Sequence, residues 1–115
     1  MHDLVKATIE AHGGLEQWKQ VRQISAAFSA SGLGFKERGP VAEEFTRMQM
    51  RATVDTREQK SVVEPFIASD QRGIYEPTHT VVESFEGAVI EELKSPRDSF
   101  KNMVTGTPWS ATQVL

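Results

Sequence analysis

Gly73-Ile74-Tyr75-Glu76-Pro77, running on to Ser95-Pro96-Arg97-Asp98-Ser99-Phe100, is the stretch whose reading decides the fold. It contains an arriving strand, a tight turn at Glu86-Gly87 and an exit through proline, the sequence signs of an antiparallel hairpin. Glu86 is poorly suited to the positive φ that a two-residue type I′ turn demands. A three-residue loop ending with Gly87 in the left-handed region fits better, and it sets Val82 opposite Ile90.

Upstream, the period is helical before it is extended. Asp3 reads as an N-cap for a helix with Leu4, Val5, Thr8, Ile9 and Ala11 at helical spacing. Gly13-Gly14 stops it, and His12 in the last turn suits the helix dipole. Leu15, Trp18 and Val21 predict a second short helical piece that carries Trp18 into the core. From Gln23 the period becomes two. Ile24, Ala26, Phe28 and Ala30 alternate with small polar residues, as in a strand with one buried face. Gly32 and Gly34 then let the chain bend or bulge. A dinucleotide-binding fingerprint needs a third glycine and a following helix, so these two do not make one.

Lys36-Glu37-Arg38-Gly39-Pro40 reads as a polar turn, and Val41 to Val54 as a long strand with Met48, Met50, Ala52 and Val54 on one side. Asp55-Thr56-Arg57-Glu58 turns the chain. Ser61 to Ile67 is a shorter strand in which Pro65 marks an edge position or a bulge. Ser69 to Gly73 turns into the opening hairpin. After Phe100 the pattern loosens until Thr107-Pro108-Trp109, an N-cap followed by proline at the first helical position. The chain stops two turns later at Leu115, without a polar tail. Such an ending is the one expected of an incomplete domain.

The expected fold is α+β: an N-terminal helix packed on an antiparallel β-meander of five or six strands, with a short C-terminal helix start. One domain spans 1–115, with helix over about 3–21, sheet over about 22–94, and loop and helix start over 95–115. Strands lie about 4.8 Å apart, so five or six span roughly 24–29 Å. A helix is only about 10–12 Å across. One helix therefore leaves part of the apolar face open, to bind a ligand, meet a partner or receive further chain.

A length of 115 residues allows a single core but not two. With a net charge of −3 and scattered basic residues, the chain has no electrostatic footprint for nucleic acid. The absence of cysteine excludes disulfides, thiol catalysis and cysteine-based zinc sites. No apolar run reaches the roughly 20 residues of a membrane-spanning helix, and none has the form of a signal peptide. A cytoplasmic location is the default expectation, a periplasmic or secreted one if a leader has been removed.

Reactive residues give little. His2, His12 and His79 lack second ligands at useful spacing and read as solvated or capping groups. Glu43-Glu44 and Glu91-Glu92, if on strands, point to opposite faces and form no dyad by themselves. No Gly-x-Ser-x-Gly elbow occurs. The dry face of the sheet falls to Phe28, Met48, Met50, Val82 and Ile90, which either pack as core or line a hydrophobic ligand. Arg97 either meets an anionic headgroup, or pairs locally with Asp98 or bonds loop carbonyls. No catalytic residue, metal or cofactor is indicated.

Two stretches carry a resemblance. Ala11-His12-Gly13-Gly14-Leu15-Glu16-Gln17-Trp18 is similar to the N-terminal motif of a family of uncharacterised bacterial proteins. Arg72-Gly73-Ile74-Tyr75-Glu76-Pro77, with Val81-Val82-Glu83, Glu86-Gly87 and Pro96-Arg97-Asp98-Ser99-Phe100, resembles the middle of the same family, and Thr107-Pro108-Trp109 the start of its next helix. That family looks related to the lipoprotein-carrier (LolA/LolB-type) half-barrels, whose curved antiparallel sheet cradles acyl chains. The resemblance implies the front half of such a barrel, so that the meander is a curved antiparallel sheet, an incomplete half-barrel. It also implies non-enzymatic binding of a hydrophobic or lipid-like ligand in the concave face. Two alternatives stand beside this reading. One is an interaction module whose open face is closed by a second copy or another chain. The other is a small hydrolase or isomerase using carboxylates borne by the sheet.

Overall fold

The alternation that begins at Gln23 becomes strands because a β-residue sends its side chain to the face opposite its neighbour's. The computed structural model describes residues 2–104 and 106–115. Two short helices, α1 (Asp3–Ala11) and α2 (Leu15–Gln20), lead into β1 (Gln23–Phe28). The helices α3 (Leu33–Glu37) and α4 (Pro40–Phe45) follow. Then come β2 (Met50–Asp55), β3 (Lys60–Glu64), β4 (Gln71–Glu76), β5 (His79–Ser84) and β6 (Val89–Lys94). A 3₁₀ turn (Pro96–Phe100) and α5 (Ala111–Val114) complete the order. The six strands pair antiparallel in chain order with β1 and β6 as free borders, so the sheet is open. The fold is α+β, its antiparallel strands are those the alternation predicts, and the open sheet is an incomplete barrel.

Register sorts the side chains into rows. On the inner face, one row runs Ala26–Ala52–Val63–Gly73–Val82–Glu91, and the next runs Ile24–Val54–Ser61–Tyr75–Thr80–Leu93. The outer face carries charge: Arg72 lies 3.5 Å from both Glu64 and Glu83, Lys60 lies 3.7 Å from Glu76, and His79 lies 2.9 Å from Glu92. The core gathers at one end of the inner face, where Phe45, Met50, Val63, Phe66, Val82 and Ala111 are buried together. Phe45 touches three aromatic rings, with centroids 6.3 Å away at Phe28, 5.7 Å at Phe35 and 5.8 Å at Phe66.

The cover over this core is not the one expected. Neither α1 nor α2 buries a residue. Trp18, expected in the core, is 42% exposed, and its indole N–H donates to the His12 carbonyl at 2.9 Å. The indole therefore ties α2 to the end of α1. Cover comes from α4 and α5 instead. The cap of α1 also differs: His2 Nδ1 accepts from the Leu4 N–H at 3.1 Å, and Asp3 is the first helical residue.

The long strand expected over Val41 to Val54 is a helix followed by a strand. Gly39 adopts φ 103°, and Pro40 occupies the first helical position, where its missing N–H costs nothing. Glu43 and Glu44 both reach Arg47, at 3.8 and 2.8 Å, as residues three and four apart do on a helix. The polar turn expected over Lys36 to Pro40 is partly taken by α3. Strand β1 ends at Phe28, two residues short of Ala30. Pro65 is not on an edge: it follows the last residue of β3, an interior strand. The last helix begins at Ala111, with Ser110 and Gln113 forming a capping box, and Thr107 is not its cap.

The loop of the opening hairpin has three residues, with Gly87 at φ 96° and Ser84 N–H donating to the Ala88 carbonyl at 2.8 Å. The expected register holds for the next rung, Glu83 opposite Val89, and then a bulge shifts it. Val82 faces Glu91 rather than Ile90, which is the extra residue of the bulge. A bulge adds one residue to a strand and re-aims the side chains beyond it.

Gly73 is where the core meets the sheet backbone. A Cβ there would lie 2.5 Å from Leu115 Cδ2 and 2.9 Å from Phe66 Cδ1. Gly73→Ala is therefore expected to destabilise the fold by about 1–3 kcal/mol through overpacking. Urea unfolding of the two proteins checks this, and an unchanged midpoint would show that the close seat carries no such constraint.

Candidate functional site

Where the chain leaves β1, Gly32 at φ 139° turns it into α3, and α3 sends Phe35 toward the core. Gly39 then permits a close approach. A Cβ on it would meet Pro108 Cβ at 2.8 Å, so the segment before α5 lies directly against the α3–α4 corner. Trp109 is fixed there by its N–H, which donates to the Arg38 carbonyl at 2.7 Å. Its ring meets Phe100 edge-on at 5.0 Å. The Arg38 guanidinium lies 4.9 Å from the Trp109 ring centroid, a cation–π contact.

Between these elements is an open groove of about 300 Å³. Phe35, Ala42, Trp109 and Val114 form its apolar walls, and Arg38 is the one charged residue lining it. Gly32 and Gly34 also line it, and a Cβ on either would meet nothing within 4 Å. Empty space therefore adjoins both glycines. Among the described residues, no carboxylate lies within ion-pairing distance of Arg38.

The residues singled out from the sequence lie elsewhere. Phe28, Met48, Met50 and Val82 do come together, in the core around Phe45. Met50 is 2% exposed and Val82 is 1%. Ile90 is set apart on the bulge and is 52% exposed. Arg97 is exposed in the 3₁₀ turn and does not pair with Asp98, which binds Lys101 at 2.9 Å instead. None of the six lines the groove. The groove residues fall in stretches whose sequence reads as a strand break, a polar turn, the start of a long strand and a helix start. The one available signal was Gly-Leu-Gly-Phe at 32–35, two glycines beside an aromatic.

The titratable groups have structural duties. His2 caps α1, and the His12 ring meets the Thr8 carbonyl at 2.8 Å. His79 and Glu92 pair on the outer face. Among the described residues, no group of three or more His, Asp or Glu is placed to hold a metal ion, and no helix is long and apolar enough to cross a membrane. Asp55 accepts from the backbone N–H groups of Glu58 and Arg57, both at 2.9 Å, and these bonds hold its carboxyl below the ordinary value.

Glu91 is the carboxylate that the bulge turns inward. Its Oε1 accepts from the Thr112 hydroxyl at 2.7 Å and from the Thr112 N–H at 3.3 Å, at the start of α5. Desolvation pushes its pKa up, but the bonds from Thr112, Ser110 and Ala111 together outweigh that and leave it lowered. No protein-family model, curated protein or solved structure matches this chain.

Because the folded state holds Glu91 below its ordinary value, its stabilisation is present above the unfolded pKa. It is lost as pH falls through the folded one. Glu91→Gln is expected to cost about 1 kcal/mol at neutral pH, a charge-assisted bond discounted for partial exposure. The difference should vanish well below the ordinary glutamate pKa of about 4.3. Urea midpoints of both proteins across that range check this; a difference independent of pH would refute the assignment.

Proposed function

We propose that the protein binds a hydrophobic, lipid-like ligand without catalysing a reaction, and that the ligand sits in the groove between α3–α4 and Trp109–α5. The observation that carries this is some 300 Å³ of open, apolar-walled space beside two glycines. Small-molecule pockets start at about that volume and combine apolar walls with few polar groups. The groove replaces the inner sheet face as the proposed seat, because the protein's own Phe45 and Phe66 fill the deepest part of that face. Kinship with the lipoprotein-carrier half-barrels belongs to the same proposal, and the open antiparallel sheet with α4 and α5 on one side supports it.

A second reading, pairing of two copies, is favoured by the difference between the sheet's borders. Strand β6 carries a bulge, Glu91, Glu92 and Lys94, the usual guards of an edge. Strand β1 carries no charge and no proline, and Gln23 to Ala27 are exposed. Two-fold pairing centred on Ala26 sets Ile24 of one copy opposite Phe28 of the other, with no like charges opposed.

Gly34→Leu tests the first reading. Position 34 is helical, where leucine is the better former, so the fold should be retained while the side chain fills the groove. The variant is expected to lose uptake of a fluorescent fatty acid without a lower Tm; uptake equal to wild type would end the assignment to this groove. For the second reading, light scattering at micromolar concentration should give a dimer for wild type and a monomer for Ala26→Lys. A monomeric wild type would dispose of it.

A further inference from the structure

Resting on the groove reading, we infer that its ligand is an amphipathic monoanion: an apolar chain lying in the groove, with one negatively charged end at Arg38. Among the described residues, Arg38 is the only charged side chain of the lining. No carboxylate among the described residues pairs with it. The guanidinium is also held in place. The Trp109 ring lies 4.9 Å from it, the Trp109 backbone N–H donates to the Arg38 backbone carbonyl at 2.7 Å and so fixes the two residues side by side, and Phe100 meets the ring in an edge contact.

A guanidinium resting on an aromatic ring keeps its in-plane N–H donors, and these are the donors that bind a carboxylate or sulfate in a bidentate fashion. Because the ring already orders the side chain, less freedom is lost when the anion arrives. A cationic ligand is disfavoured twice: Arg38 repels it and already occupies the Trp109 ring. One unpaired positive charge matches one negative charge, which sets the charge class.

The groove is small. At about 300 Å³ it lies at the lower end of small-molecule pockets, which suits one chain of medium length. A ten-carbon chain is therefore the probe of choice.

Calorimetric titration of the full chain with decanoate, decyl sulfate and 1-decanol tests this. Both anions are expected to bind at least about tenfold more tightly than the alcohol, the worth of a charge-assisted bond at a partly screened site. Arg38→Gln should abolish the preference of the anions over the alcohol, and Arg38→Lys should restore part of it. Equal binding of decanoate and decanol by the wild type would overturn the charge assignment and leave the groove standing. So would a preference that survives in Arg38→Gln. Binding of none of the three probes would bring down the groove reading, and this inference with it.

Discussion

The fold depends on the contact of Phe66 and Leu115 with a strand that has no side chain at position 73. A sheet can be covered only as closely as its side chains allow, and β4 allows contact down to the backbone at this one point. Phe66, 0% exposed, is the first ring of an aromatic series that passes through Phe45 to Phe35 and Phe28. Dense packing transmits position. The wall that Phe35 gives the groove is therefore referred back, ring by ring, to the floor of the sheet.

The bulge in β6 serves the same cover from the other side. A helix of four residues has no stability of its own, since the first turn is the costly one to form. In α5 that turn is held by the Ser110–Gln113 capping box and by Glu91, an anion at the helix start where the dipole favours it. Glu91 reaches it only because Ile90 takes up the extra residue. The helix so anchored delivers Val114 to the groove and precedes Leu115 over Gly73. The groove and the core thus share their supports.

How much of the fold could be read from the sequence depends on which signals are local. Alternation from Ile24 to Phe28, the glycine stops after α1, the Asp55 turn and the three-residue loop at Gly87 each depend on neighbouring residues, and all are found. Val41 to Val54 misled because Met48, Met50, Ala52 and Val54 do alternate, while the preceding Gly39-Pro40 pair sets a helix start that period counting ignores. The bulge could not be seen, because Ile90 and Glu91 are equally acceptable opposite Val82 until α5 arrives to bond one of them. The groove was illegible for the same reason. Arg38 and Trp109 stand 71 positions apart (109 − 38) and meet where Pro108 comes up against Gly39. Dry-face residues were identified as a group, but whether a hydrophobic side chain fills a hollow or borders one is decided by what covers it.

The unequal rims of the sheet have an implication for assembly size. A ribbon array with two bare rims can add members without limit, which is how fibres arise. Here one rim is guarded by its kink and by its glutamates and lysine. Growth could proceed only from the other, and a symmetric encounter there consumes the bare rim of both participants at once. If two copies pair as proposed, such an array closes at two members and has nowhere left to extend.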